Sequence, residues 1–206
     1  MKILIATSNQ GKVKEFREML GGGEIEFMDL TALPSPGAPQ ETGQTFRANA
    51  CLKAAYYGKH YNMYALADDS GLSVDALDGA PGVHSARWAE MQGTGSGDGV
   101  NNATLLKQLS DVRDDRRTAR FTCVLALSDP RGRILLTAQD SVEGKLLREP
   151  RGANGFGYDP LFFVESLGKT TAELEPVEKH RISHRGKALR HLKTLMERVG
   201  NVFEVA

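Results

Sequence analysis

The sequence is poor in cysteine, has a single tryptophan and carries no excess of either charge, and each shortage narrows what it can be. Its 206 residues include two cysteines, Cys51 and Cys123. Both stand in apolar patterns without metal-type spacing. They read as buried free thiols of a reducing cytosol, and a structural disulfide is disfavoured. His60, His180 and His191 also lack zinc-ligand spacing. Lysine and arginine total 26, and aspartate and glutamate also total 26, so the formal net charge is zero. Proteins that grip a long nucleic acid usually carry a basic excess, so that partner is disfavoured. No apolar run approaches the ~20 residues of a membrane span. The opening MKILIATSNQ has a short apolar run but no small-residue cleavage site, and it reads as a first strand rather than a signal peptide. There is no internal repeat and no low-complexity tract.

What is present suits a soluble globular protein: 40% hydrophobic and 25% charged residues. The length fits one large domain, or one domain with two lobes, spanning 1–206. Residues 2–7 read as a buried strand. Ser8 or Asn9 then caps a helix over about 11–20, closed by Gly21-Gly22-Gly23. A second strand is expected at 25–29, a proline-rich loop at 33–43 and a helix at 45–57. Residues 64–78, YALADDSGLSVDALD, hold an apolar run that stops at two adjacent acids, Asp68 and Asp69, and resumes at Leu72. A turn at Asp-Ser-Gly is the simple reading. A helical piece follows at 83–91, a flexible segment at 93–99 (GTGSGDG) and a helix at 100–109. Strands are expected at 119–128, 134–143 and 144–147, with a turn at Asp129-Pro130-Arg131-Gly132. A glycine-rich loop covers 150–160, a short apolar run 161–164, and Ser183 caps a last helix that ends before Gly200. Mixed strands and helices with a hairpin define an α/β or α+β class with a mixed sheet.

Several stretches have the makings of chemistry. ATSNQGKV at 6–13 is a strand, a polar turn and a helix start, whose backbone N–H groups favour an anion, with Lys12 adding charge. It is no P-loop, because Ala6 and Val13 stand where glycine and serine or threonine are required. Alone it reads better as an ordinary capped helix. Glu41 precedes a helix on which Asn49 and Lys53, four residues apart, share a face. Asp68 and Asp69 at the end of a buried strand are costly unless cations meet them. Such hard oxygen donors suit Mg²⁺, and an ionised aspartate facing a water is a candidate general base. Gly155-Phe156-Gly157-Tyr158-Asp159 sets two aromatics among glycines, fit either to stack on a flat ligand or to plug a core edge. Lys179 to Arg185, KHRISHR, crowds cations just before the last helix. That is the unfavourable end for a dipole interaction, but Lys179, His184 and Arg185 there suit a keto oxygen or a phosphate.

Taken together, TSNQGK at 7–12, ETGQTFRANACLKA at 41–54, ADDSGLSVDALDGAPGVHSAR at 67–87, GFGYDP at 155–160 and KHRISHRGKAL at 179–189 closely resemble the inosine triphosphate pyrophosphatase family. The match runs from Thr7 to Leu189 and departs at Ser8, where the family has glycine, and at His84, where tyrosine is common. The resemblance implies an α/β fold: a long twisted mixed sheet flanked by helices, in two lobes around a deep central cleft. It also implies a cytoplasmic homodimer that uses Mg²⁺ to hydrolyse ITP, dITP or XTP to the monophosphate and pyrophosphate. On the same basis Thr7, Ser8, Asn9, Gln10, Gly11 and Lys12 cradle the triphosphate with Lys53. Glu41 and Asp69 hold the metal, Asp69 accepts the proton of the attacking water, and Ser70 contacts substrate. Phe156, Gly157, Tyr158 and Asp159 clasp base and sugar, with Lys179, His184 and Arg185 completing the base pocket.

Overall fold

The computed structural model describes residues 2–20 and 25–199. The elements run β1 (Lys2–Ile5), α1 (Gln10–Leu20), β2 (Glu26–Asp29), α2 (Phe46–Tyr61), β3 (Tyr64–Val74), α3 (Trp88–Met91), α4 (Asp98–Gln108), β4 (Thr118–Ser128), β5 (Ile134–Leu146), β6 (Phe162–Val164), β7 (Lys169–Thr170), α5 (Pro176–Ile182) and α6 (His184–Val199), with short 3-10 turns between them. The strands form one sheet in the order β2-β1-β3-β4-β5-β6-β7. β1 is parallel to both β2 and β3, with Leu4 opposite Ala65 and Ile5 opposite Leu66. β6 is antiparallel to β5 and to β7. The sheet is therefore mixed, as the α/β reading requires.

Two compact units divide the chain, and β3, β4 and β5 each contribute residues to both. The first comprises Met1–Asp69, Cys123–Asp140 and Arg185–Ala206. Here side chains alternate between two buried faces, as the period of 2 along a strand demands. Ile3, Ile5, Leu66, Cys123, Leu125 and Leu127 pack with Phe16 of α1 and with Ala188, Leu189 and Leu192 of α6. Their neighbours Leu4, Ala6, Ala65, Ala67, Val124 and Ala126 pack with Ala50, Ala54 and Tyr57 of α2. Burial on both faces explains why these strands read as continuous apolar runs. The second unit, Ser70–Thr122 and Ser141–His184, has a core of Leu72, Val74, Leu105, Leu109, Phe121, Val142, Leu146, Tyr158 and Phe162 among others.

Several boundaries differ from the sequence reading. β3 does not stop at Asp68-Asp69; it runs unbroken through Asp68, Asp69, Ser70 and Gly71 to Val74. The acids are tolerated there because cations from helices meet both of them, as described below. β5 is a single strand to Leu146 rather than two. α2 continues past Tyr57 to Tyr61, where Asn62 caps it in a left-handed conformation. Gly58 inside this helix is a packing requirement, since a Cβ there would collide with Ser128 Oγ and lie 2.8 Å from Asp129 O. Lys179, His180 and Arg181 precede the last helix, as expected, but they also belong to a short helix of their own. They form the last turn of α5, where cations interact favourably with the carbonyl end of the dipole. Of the two cysteines, Cys123 is buried and Cys51 half-buried, both free. The expected terminators Gly21-Gly22-Gly23 and Gly200 lie outside the described residues.

Candidate active site

Asp68 and Asp69 are adjacent in β3, so the strand's alternation sends them to opposite faces of the sheet. Asp68 faces α1 and α6. Its Oδ1 accepts from Lys12 Nζ, its Oδ2 from Arg185 Nε at 2.9 Å and from Cys123 Sγ at 3.1 Å. Arg185 Nη1 then donates to Glu15 Oε2 at 2.5 Å. Two cations thus meet two carboxylates in a buried cluster, which satisfies charges that would be prohibitive alone. Burial opposes ionisation of Asp68, but Arg185 and Lys12 overcome it and hold the carboxyl well below the usual carboxylate range. The same burial, together with Asp68, pushes the Cys123 thiol far up, so it stays protonated.

Asp69 faces α2. Lys53 Nζ donates to Asp69 Oδ1 at 2.6 Å and to Glu41 Oε1 at 3.0 Å. Asp69 Oδ2 is buried with no hydrogen-bond partner. Burial pushes this carboxyl above the usual range even though Lys53 acts to lower it. Burial works against the charge of Lys53, yet Asp69, Glu41 and Asp68 together hold its ammonium above the usual value. Glu41 stands in the proline-rich loop, which is fastened on both sides. Tyr61 and Tyr56 donate to the carbonyls of Pro34 and Pro36 at 2.6 and 3.1 Å, and Gly43 N–H donates to Asn49 Oδ1 at 2.8 Å. The face shared by Asn49 and Lys53 therefore serves the loop and the acids respectively.

Among the described residues no group of three or more histidine, cysteine or acidic side chains is gathered as a metal site. The donor chemistry nevertheless fits Mg²⁺, which takes one or two carboxylates and fills its remaining positions with water and phosphate. Glu41 and Asp69 share one ammonium, and the unpartnered Asp69 Oδ2 is a hard oxygen with acceptor capacity to spare.

At the start of α1, Asn9 is the cap. Its Oδ1 accepts from Lys12 N–H at 3.0 Å, and its own N–H donates to Thr7 Oγ1 at 3.2 Å. Ser8, Asn9 and Gln10 are exposed and Gly11 and Lys12 half-buried, so the turn presents a helix N-terminus to solvent.

The second unit holds the other group of expected residues. Asp159 is its hub. Oδ2 accepts from Phe156 N–H at 2.9 Å and from Lys179 Nζ at 2.6 Å, while Oδ1 accepts from Thr171 Oγ1 at 2.8 Å. Lys179 Nζ lies 5.1 Å from the centroid of the half-buried Phe156 ring, a cation–π distance. Tyr158 is buried and donates from its hydroxyl to Ser85 O at 2.8 Å; burial and Asp98 push its phenol well up. It is a support for the loop rather than an ionisable group. The buried His184 ring stacks on Phe121 at 4.8 Å. Ser70 follows Asp69 on β3.

The structure thus joins Lys12 to Asp68, and Lys53 to Glu41 and Asp69, and it joins Phe156, Asp159 and Lys179. Arg185 pairs with Asp68 and Glu15. Glu15 and Thr171 were missed by sequence reasoning. Glu15 left one signal, an acid between the apolar Val13 and Phe16 on the inward face of α1.

A mixed α/β sheet that sets paired carboxylates beside lysines and a capped helix start defines a protein equipped to handle a polyanion. The chain belongs to the Ham1 family, whose model matches residues 3–195. It is 50% identical over 199 residues to a protein of Exiguobacterium sibiricum named dITP/XTP pyrophosphatase, covering 95% of this chain and 97% of that one. A protein of the same name from Listeria monocytogenes is 48% identical, with 98% of each chain covered. Among solved structures, a HAM1 protein from Coxiella burnetii aligns with a TM-score of 0.83 at 42% identity, over 96% of this chain and 99% of that one. The nucleoside-triphosphatase/dITP/XTP pyrophosphatase from Mycobacterium abscessus aligns at 0.73 and 45% identity, over 93% and 98%.

Proposed function

We infer that this protein is a nucleoside triphosphate pyrophosphatase that hydrolyses non-standard purine nucleotides, ITP, dITP and XTP, to the monophosphate and pyrophosphate. Family membership supports the reaction class. The observation in this chain that carries the reading is Asp69, a buried carboxylate of raised basicity with one oxygen held by Lys53 and the other unpartnered.

In the reaction, water oxygen attacks the α-phosphorus, the bond from that phosphorus to the α–β bridging oxygen breaks, and pyrophosphate leaves. Asp69 takes the proton of the water; Lys53 fixes the orientation of its carboxylate. Asp68 is unsuited to that task, because Arg185 and Lys12 hold it firmly ionised. Its role is to position Lys12 at the start of α1, where Thr7 to Lys12 receive the triphosphate. Glu41 and Asp69 would hold Mg²⁺, which would supply charge neutralisation to the phosphates. Phe156 stacks on the base, with Gly157, Tyr158 and Asp159 shaping its pocket; Ser70 and His184 add substrate contacts. Lys179 only donates hydrogen bonds, so it suits the 6-keto group of hypoxanthine or xanthine and mismatches the 6-amino group of adenine. Arg185 acts as the counter-charge that ties Asp68 to Glu15.

We place the enzyme in the cytoplasm as a homodimer, on the strength of its family resemblance; light scattering on the purified protein tests the dimer. The reaction is tested with ITP, dITP, XTP, ATP, GTP and dTTP, each with and without Mg²⁺, separating pyrophosphate from orthophosphate. Pyrophosphate from the first three, dependent on Mg²⁺, is the expected result. Orthophosphate as first product would remove the α-phosphorus assignment.

A further inference from the structure

Both polar backbone groups of Gly157 are held by side chains from the first two turns of α4. Gly157 N–H donates to Asp98 Oδ2 at 2.6 Å, and Asn102 Nδ2 donates to Gly157 O at 3.0 Å. Asp98 and Asn102 are four apart on the helix, so their side chains leave the same face. Gly157 itself has a φ of +63°, a left-handed conformation that glycine enters and leaves easily. Its neighbours are secured by their own contacts: Phe156 N–H on Asp159, the Tyr158 hydroxyl on Ser85 O, and Asp159 on Lys179 and Thr171. Gly157 has no side chain with which to do the same.

The clamp also explains an unmet group. Asn102 Oδ1 is buried without a hydrogen-bond partner. Only the amide nitrogen can donate to the Gly157 carbonyl, so the side chain must turn that way and leave its oxygen unsatisfied. An unsatisfied buried acceptor is destabilising and calls for a reason. The glycine-rich stretch before α4 belongs to the same arrangement, since it delivers the helix start to this loop. Thr94 in that stretch bonds Ala89 O at 3.1 Å and the Thr104 hydroxyl at 2.7 Å, tying it to α3 and α4.

We propose that Asp98 and Asn102 are positioning residues for base recognition: by fixing the Gly157 peptide from both sides they hold the Phe156 ring and the Asp159–Lys179 pair in register for a flat, keto-bearing base. The proposal rests on the reading that this loop takes the base. Three variants test it. Asn102→Asp keeps the size but replaces the donor with an acceptor facing a carbonyl. Asp98→Ala removes the acceptor, and Asp98→Asn restores an acceptor without charge. With ITP as substrate, D98A, which loses a hydrogen bond to a charged acceptor, and N102D, which sets a carboxylate against a carbonyl, each raise KM about tenfold, while kcat stays within about twofold. D98N lies close to wild type. Inorganic tripolyphosphate, a competitive probe without a base, inhibits all variants with an unchanged constant. An unmoved KM in N102D and D98A overturns the clamp, as does a parallel weakening of tripolyphosphate. A wild type that turns over no nucleotide in the panel refutes the underlying function instead.

Discussion

At the scale of single residues, the pair Asp68-Asp69 is two different groups. Alternation along β3 sends one to the helices carrying Lys12 and Arg185 and the other to the helix carrying Lys53. Their substitutions separate accordingly. Asp69→Asn removes the proton acceptor and lowers kcat by roughly 10²–10⁴-fold. Lys53 retains Glu41, so the stability of this variant in urea titration stays within about 1 kcal/mol of wild type. Asp68→Asn leaves buried Arg185 and Lys12 short of a counter-charge, and its stability falls by about 3–5 kcal/mol in the same urea titration. Equal losses of stability in both variants would refute this division. The residue types were legible in the sequence, and so was the preference for Asp69. What the structure adds is that one oxygen of Asp69 is buried with no hydrogen-bond partner, a property no residue type carries by itself.

At the scale of elements, Arg117 fastens three of them within the second unit. It stands immediately before β4, 2% exposed, and its guanidinium donates to three backbone carbonyls. Nη1 donates to Leu109 O after α4 at 2.7 Å, Nε to Leu146 O at the end of β5 at 2.8 Å, and Nη2 to Leu147 O at 2.9 Å. Burial lowers the affinity of this guanidinium for its proton, with Arg148 adding to the effect. Arg117→Met keeps the volume but strands three carbonyls, and it destabilises the fold by about 3 kcal/mol in chemical denaturation. Arg117→Lys recovers only part of this, because one ammonium cannot reproduce the planar fork. A methionine variant as stable as wild type would show the fastening to be dispensable. Nothing local announced this arginine, which looked like one more basic residue in DVRDDRRTAR. Periodicity did place most helices and strands. It failed at β3, where acids mimic a strand end, and at α5, a single capped helix of 7 residues too short for a periodic signature.

At the scale of the whole molecule, acid stability follows from three buried carboxyls. Thr31 lowers Asp29 against the effect of burial, with help from Arg17. Burial opposes the charge on Asp129, and the Arg133 N–H and side chain with the Arg131 N–H outweigh it. Asp68 is depressed in the same sense by Arg185 and Lys12. Each has a folded-state pKa below its unfolded value of about 3.9. The stability they contribute is therefore complete above about pH 4 and is lost as pH falls through the lower folded values. Urea midpoints should be steady from about pH 7 to pH 5 with respect to these groups and drop steeply below about pH 4. Asp129→Asn shallows that drop, and a drop of unchanged steepness in D129N would exclude Asp129 from it.

By itself the sequence determined the alternation of strands and helices, the proline-rich loop that bears Glu41, the capped start of α1, and which residue types could carry the chemistry. These are local properties, set by spacing of 2 or 3.6 along the chain and by turn and cap residues. Only the tertiary structure decided the partners. Arg185 meets Asp68 across 117 positions of sequence and Glu15 across 170. No local pattern encodes such a meeting, because it depends on which sheet face each strand residue occupies and which helix covers that face. The same packing decided that Asp68 is locked by two cations while Asp69 keeps an oxygen unmet.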